Sequence, residues 1–237
     1  NESKSFNAKS IKNIYTSSQF DFKMSTKKIL LVVAHPNESK SFNHFLSKAT
    51  EDYLLSSDCE VRVVDLYQIN FTGVAGRTDF THESDGSKFD LPMEQLKANS
   101  NKTFSAEVEE QIKNVQWADI LLFQFPIWWY SVPSILKSWV DRIMAYSVFH
   151  GADKNLQGKF WMASVTTGET AENYSKEGKL GDSIENILSH FTVLTPAYVK
   201  CGTLPLHTVY AVQDLDHQGK ERESQKLREH LKKYILT

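Results

Sequence analysis

One segment, residues 124–143 (QFPIWWYSVPSILKSWVDRI), constrains the fold of this chain more than any other. An apolar run ends there at Pro126. Pro133 then opens a second run whose apolar residues recur at helical spacing, and proline is favoured in a first helical turn. The segment therefore predicts a buried strand, a tight loop and a buried helix in direct succession.

The loop holds three adjacent aromatic residues, Trp128, Trp129 and Tyr130. A short loop cannot bury three large rings by itself, so we expect a flat ligand against them. The alternative to a ligand is that this turn packs under another loop or lies in a contact between subunits.

Apolar runs typical of strands alternate with amphipathic segments along the chain. Residues 28–34 (KILLVVA) are nearly all apolar, as in a strand that is covered on both faces. Further strands are predicted at residues 60–66, 119–125, 159–166 and 206–212. Helices are predicted at residues 43–55, 104–116, 133–144, 182–200 and 216–236. The alternation predicts an α/β fold with a doubly wound five-stranded parallel sheet, in which polar residues 67–103 form a long connection.

The chain is predicted to form one domain, residues 24–237, after an extension of different character. Residues 1–23 are rich in Ser, Asn and Lys without apolar periodicity, so we expect a disordered or cloning-derived segment before Met24. A net charge of −2 gives no electrostatic case for binding nucleic acid or an anionic membrane. No apolar run is long enough for membrane insertion. Cys59 and Cys201 form neither a disulfide framework nor a CxxC motif, which favours a cytoplasmic protein.

The loop after the first strand, residues 34–43 (AHPNESKSFN), has the character of a phosphate site. It offers the side chains of His35, Ser41 and Asn43 next to the start of a helix, where unpaired N–H groups attract anions. The glycine patterns GxGxxG and GxxxxGK[ST] are absent, which disfavours a Rossmann nicotinamide site and an ATP P-loop. Helix capping alone is the alternative explanation for this loop.

The loop after the fourth strand, residues 166–170 (TTGET), combines hydroxyl groups with Gly168, whose backbone can approach a ligand closely. Backbone donors there suit a ring carbonyl or a developing anion, and a simple glycine turn is the alternative. The carboxyl ends of parallel strands share one edge of a sheet, where ligands bind. The three loops therefore predict a slot for a flat ring with a phosphate anchor, as an isoalloxazine requires. The eight histidines show no metal-ligand spacing, and no GxSxG elbow is present.

Three motifs, AHPNESKSFN, QFPIWWYSVPSILKSWVDRI and TTGETAENY, resemble in this order the NAD(P)H:quinone oxidoreductase family. The ancillary oxidoreductases of bacterial potassium-efflux systems belong to the same broad group. The resemblance implies a flavodoxin-like fold with strand order 2-1-3-4-5 and a homodimer whose interface builds the active sites. It also implies bound FAD, or FMN, and a ping-pong transfer of hydride from NAD(P)H to a quinone-like acceptor.

The resemblance also assigns roles to individual residues. The phosphates would be held by His35, Ser41, Phe42 and Asn43. The isoalloxazine would be lined by Pro126, Ile127, Trp128 and Trp129. Its polar edge would be bound by Thr166, Thr167, Gly168 and Glu169. Tyr174 would be the catalytic residue that stabilises charge on the reduced ring. The substrate pocket would be walled by Tyr130, Phe149 and His150.

Two departures from the family pattern bear on the mechanism. Leu180 stands where mammalian-type members have a histidine that relays protons, and Glu169 replaces a second glycine. A flavodoxin-like regulatory or electron-carrier subunit with little turnover is therefore the alternative function. The choice between FAD and FMN is open, although the long connection at residues 67–103 looks more like that of FAD-binding members.

Overall fold

The computed structural model describes residues 26–37, 41–71, 73–82, 86, 88–151 and 154–237. The predicted extension, residues 1–23, lies outside these residues, as do residues 38–40 of the first loop. The described part is an α/β fold in which helices cover both faces of a parallel sheet.

The sheet has the predicted order, β2-β1-β3-β4-β5, and its ladders are parallel. Its strands are β1 Lys28–Val33, β2 Glu60–Asp65, β3 Ile120–Pro126, β4 Phe160–Thr166, β5 Gly202–Thr203 and β6 His207–Val209. The strand predicted at residues 206–212 corresponds to β6, whereas β5 was not predicted; both pair with β4. Pro205 lies between β5 and β6 and has no N–H to donate to a ladder. Lys200, which follows the last helical residues before β5, has a left-handed backbone with φ of 56°.

Seven α-helices are described. They are α1 Phe42–Leu55, α2 Leu91–Asn101, α3 Ala106–Trp117, α4 Ser134–Ile143, α5 Ile184–Ile187, α6 Thr195–Tyr198 and α7 His217–Tyr234. Helix α2 was not predicted and lies inside the connection assigned to residues 67–103. The Asp90 side chain caps it by accepting from Met93 N, and a proline occupies its first turn. The helix predicted at residues 182–200 contains a π-helical turn, His190–Leu194, directly before Pro196.

The core consists of two apolar layers, one on each face of the sheet. Alternate residues of β1 point to opposite faces, so that Ile29 and Leu31 pack with α1 and α7. Leu30 and Val32 pack on the other face, with α3, α4 and α5. This arrangement places the loops that follow β1, β3 and β4 together at one edge of the sheet.

A buried arginine fastens the long connection to the rest of the domain. Arg142 Nε donates to Asp79 Oδ1 at 2.7 Å, and Arg142 Nη2 donates to Glu107 Oε2 at 2.6 Å. The guanidinium carbon also lies 4.4 Å from the centre of the Phe71 ring. Satisfied hydrogen bonds of this kind are what a buried charge requires, and they hold the connection against α3 and α4.

Candidate functional site

A buried network of hydrogen bonds joins the three loops at the carboxyl edge of the sheet. Asn43 Nδ2 donates to Thr166 Oγ1 at 2.8 Å, and Gln124 Nε2 donates to Asn43 Oδ1 at 2.8 Å. Ile127 N also donates to Thr166 O at 2.8 Å. The start of α1 and the ends of β3 and β4 are therefore fixed relative to one another before any ligand binds. Asn43 keeps one Nδ2 proton that this network does not use.

Ser41 caps helix α1, so the loop does have the capping role that was the alternative explanation for it. Its Oγ accepts from His44 N at 3.1 Å and lies 2.7 Å from His44 Nδ1, while His44 Nε2 lies 2.6 Å from Asp65 Oδ2. His35 faces this cluster, and its Nδ1 accepts from Asn37 N at 3.1 Å. Burial lowers the pKa of His35, nearby His44 lowers it further, and Asp65 partly opposes both. When the His35 ring is uncharged, accepting at Nδ1 leaves its one proton on Nε2.

The aromatic loop is a two-residue hairpin turn with an unusual backbone. Trp128 and Ser131 exchange two backbone hydrogen bonds, each 3.0 Å long. Trp129 and Tyr130 between them have φ of 49° and 59°, a left-handed conformation that glycine and asparagine usually supply. Such strain costs on the order of 1–3 kcal/mol per residue and concentrates at functional sites. It holds the Trp129 side chain 96% exposed at the mouth of the site, and Tyr130 half-exposed.

The loop after β4 orients a buried tyrosine. Tyr174 is 6% exposed, and its hydroxyl oxygen lies 2.9 Å from Thr167 Oγ1. Thr167 Oγ1 also accepts from Glu169 N at 3.1 Å. Gly168 is exposed, but an added Cβ would lie 3.0 Å from Gln213 Nε2. A side chain at position 168 would therefore displace the Gln213 amide.

Two adjoining cavities occupy the edge of the sheet. The larger, of about 530 Å³, is lined by predicted residues of all three loops: His35, Ser41, Phe42, Asn43, Pro126, Ile127, Trp128, Thr166, Thr167 and Gly168. The smaller, of about 440 Å³, is lined by the predicted residues Ile127, Trp129, Tyr130, Thr167, Gly168, Glu169 and Tyr174. Because Ile127, Thr167 and Gly168 line both, the cavities meet at the ends of β3 and β4.

Two predicted substrate residues lie elsewhere in the single chain. Phe149 is 2% exposed and packs in the core. His150 packs between the rings of Tyr146 and Tyr198, with centroids 5.6 Å and 5.3 Å away, and burial lowers its pKa. Neither residue lines the two cavities. Their contact with a substrate stays a prediction.

The structure adds lining residues that the sequence did not single out. Gln213 lines both cavities, and the larger one is also lined by Leu215, just before α7, and by Lys220, near the start of α7. Lys220 is the only lysine or arginine among the described residues that line the larger cavity. No motif marks these positions, because their place depends on how α7 packs against α1. Leu180 packs against the core, and its side chain carries no exchangeable proton.

Comparisons with known proteins agree with this architecture. The model of a family with a flavodoxin-like fold matches residues 27–235. The mouse ribosyldihydronicotinamide dehydrogenase [quinone] is 41% identical over 165 residues, which are 67% of this chain and 71% of the relative. The rat NAD(P)H dehydrogenase [quinone] 1 is 35% identical over 165 residues, covering 67% of this chain and 60% of the relative. A solved Klebsiella pneumoniae structure, described as a candidate quinone reductase, has 30% identity and a TM-score of 0.80, covering 87% of this chain and 84% of the other.

Proposed function

We propose that this chain, which belongs to the flavodoxin-like family of NAD(P)H dehydrogenases (quinone), is a flavoprotein that reduces quinones. The overall reaction is NAD(P)H plus a quinone and a proton, giving NAD(P)⁺ and a hydroquinone. The observation that carries the proposal is the pair of adjoining cavities built by the three predicted loops. When bound, a flavin supplies the two-electron chemistry that no side chain of the protein provides.

The described residues fit both the phosphate groups and the ring system of a flavin. The larger cavity reaches the capped start of α1 and the Lys220 side chain, which together suit phosphate groups. The smaller cavity has the apolar Ile127 and Trp129 side chains with the polar edge of the β4 loop, which suits a flat heteroaromatic ring. Gly168 lies where the two cavities meet, so the backbone can approach a ring edge without a Cβ in the way.

Binding at the phosphate end uses groups that the fold has already oriented. The helix dipole at the start of α1 contributes about 0.3–1 kcal/mol for an anion. The Lys220 ammonium adds a direct charge, and the unused Nδ2 proton of Asn43 adds a donor whose orientation Gln124 and Thr166 fix. FAD, the expectation from the sequence resemblance, stays a prediction, and FMN is the alternative.

Tyr174 is the residue that we assign to stabilising negative charge in the smaller cavity. Because Thr167 Oγ1 accepts from Glu169 N, it can donate its own proton to the Tyr174 oxygen. The Tyr174 O–H is then free to donate to a negatively charged group in the cavity that it lines. Burial strengthens such a bond, because charge-assisted hydrogen bonds gain in a low dielectric. Leu180 cannot relay a proton, so the proton consumed in the reaction is supplied by Tyr174 or by solvent at the mouth.

The same pocket would serve donor and acceptor in turn. The mouth of the smaller cavity is edged by Trp129 and Tyr130, both of which are exposed in the single chain. A dihydronicotinamide and a quinone are both flat, so each can stack on these rings, but not together in one place. This supports a ping-pong order, in which product leaves before the second substrate enters.

We propose that the protein acts as a homodimer. Four exposed apolar side chains support this: Trp129, Tyr130, Leu194 and Tyr198. The hairpin and the helical segment that carry them are linked, because Ser131 Oγ lies 3.2 Å from His190 Nε2. Exposed apolar patches of this kind mark interaction surfaces, and a second copy would cover the mouth of the site. Sedimentation equilibrium is the test, and a monomer at micromolar concentration would contradict the proposal.

We propose a cytoplasmic location from the state of the two cysteines. Cys59 and Cys201 are both free and buried, and burial raises the pKa of the Cys201 thiol to about 12. Unpaired cysteines suit a reducing compartment. Separately, none of the described helices is long and apolar enough to cross a membrane.

An electron carrier with little turnover is the second candidate, and Leu180 is the observation that favours it. Steady-state oxidation of NADH, NADPH and ribosyldihydronicotinamide, with menadione as acceptor, separates the two functions. Rapid turnover supports the reductase, and bound flavin without turnover supports the carrier. Purified protein that shows no flavin absorbance after incubation with FAD and FMN would reject both.

A further inference from the structure

We propose that Glu169 selects substrates by charge, so that the site favours uncharged or cationic quinones over anionic ones. The inference rests on the proposed function and specifies the substrate class of the same site. It concerns a position where the family pattern described above has glycine, so the selectivity is a property of this chain.

Among the described residues that line the smaller cavity, Glu169 has the only formally charged side chain. The described residues that line it are Ile127, Trp129, Tyr130, Thr167, Gly168, Glu169, Tyr174 and Gln213. No lysine, arginine or histidine is among them, so no cation within that lining opposes the field of the carboxylate. An anionic substrate entering the cavity therefore meets a like charge, and an uncharged one does not.

The carboxylate is held in place by its surroundings. Glu169 N donates to Thr167 Oγ1 at 3.1 Å, and Glu169 O accepts from Ala211 N at 3.0 Å. Its Oε2 accepts from Asn173 Nδ2 at 2.6 Å. Both its backbone and its side chain are thus anchored beside Tyr174, on the loop that binds the polar edge of the ring in the proposed function. A fixed charge of this kind discriminates between ligands better than a mobile one.

One cation lies near, but it compensates only in part. Lys179 Nζ is 3.6 Å from Glu169 Oε1, and the two side chains are 67% and 42% exposed, respectively. Exposed ion pairs are screened by water and contribute little. Glu169 lines the cavity, whereas Lys179 does not.

Coulomb's law sets the size of the expected effect. Two unit charges about 6 Å apart, at an effective dielectric constant of about 40–80, change a binding constant about 3- to 10-fold. The effect should fall at about 1 M salt, where the Debye length is about 3 Å. A steric role for Glu169 would show no such dependence on salt.

The experiment compares one quinone pair on the oxidised, flavin-loaded protein without a hydride donor. Dissociation constants for 1,4-naphthoquinone and its 2-sulfonate are measured by calorimetry at low and high salt. Glu169→Gln keeps the size of the side chain and an acceptor for Asn173. We expect it to tighten sulfonate binding about 3- to 10-fold relative to binding of the parent quinone. Glu169→Asp should retain the discrimination, because the charge remains.

Two control variants sharpen the result. Glu172→Gln makes the same charge change at an exposed position outside the cavity, and the ratio of the two constants should stay at the wild-type value. Lys179→Gln removes the partly compensating cation, and sulfonate binding should weaken. If the ratio of the sulfonate and parent-quinone dissociation constants were the same in the wild type and in Glu169→Gln, the inference would be overturned, while the proposed function would stay intact. A flavin-free protein, or one that binds neither quinone, would overturn both.

Discussion

Replacing Tyr174 with phenylalanine removes one hydroxyl group and leaves the ring that packs in the core. Tyr174 is 6% exposed, so the variant creates no large surface change, and Thr167 loses one neighbour at 2.9 Å while it keeps Glu169 N. We therefore expect the flavin to stay bound with little change in affinity. The substitution should act on the step in which negative charge develops beside the ring.

The size of the effect follows from the hydrogen bond that is lost. A hydrogen bond to a charged group contributes about 1.5–3 kcal/mol, and about 1.4 kcal/mol corresponds to a factor of ten. Since the charge in a transition state is only partly developed, we expect reduction by NAD(P)H to slow about 10- to 100-fold. The flavin dissociation constant should change far less than the rate.

Stopped-flow absorbance under anaerobic conditions measures this step directly, because it follows a single reduction. Tyr210→Phe is the matched control, since its ring lies 5.7 Å from the Tyr174 ring but lines neither cavity. The control should reduce at the wild-type rate. Wild-type kinetics in Tyr174→Phe would remove Tyr174 from the mechanism, and equal slowing in both variants would indicate a structural effect.

Three further outcomes are expected. Lys220→Met should weaken flavin binding about 3- to 10-fold at low salt and less at high salt, by fluorescence titration, whereas Lys226→Met should not. Burial lowers the pKa of His207 to about 4 from 6.5, so the unfolded chain takes up the proton first and stability is lost as the pH falls from 6.5 towards 4. His207 then contributes up to about 3 kcal/mol to that loss, and urea unfolding of His207→Gln should show a correspondingly shallower pH dependence. Tyr130→Gly relieves a residue at φ of 59° and should raise the free energy of unfolding by about 1 kcal/mol, whereas a destabilised variant would contradict the argument from strain.

The sheet could be predicted because its strands are covered on both faces. Continuous apolar runs such as β1, β3 and β4 are typical of buried strands, and the helical segments between them predict parallel pairing; the strand order came from the family resemblance. Helix α2 was not predicted, because its sequence carries no clear apolar pattern. It is polar, and its Glu94 is buried through pairing with His82 and Lys97, contacts that periodicity does not report.

The site was predictable as far as topology determines it. Loops after β1, β3 and β4 must meet at one edge, so Asn43, Thr166 and Trp128 could be placed together from the sequence. Gln213 and Lys220 could not be placed from the sequence. Their positions depend on the path of the segment that follows β6 and on the packing of α7. The sequence did predict that the aromatic loop could not bury its rings, but the left-handed backbone of Trp129 escaped prediction, because its residue type disfavours that conformation.

A crystal structure of the protein with bound FAD tests the central claim most directly. We predict a flat ring across the ends of β3 and β4, in contact with the β4 loop at Gly168, and phosphates at the capped start of α1. A ring bound elsewhere, or a crevice that the Trp128 indole keeps closed to the ligand, would contradict the account.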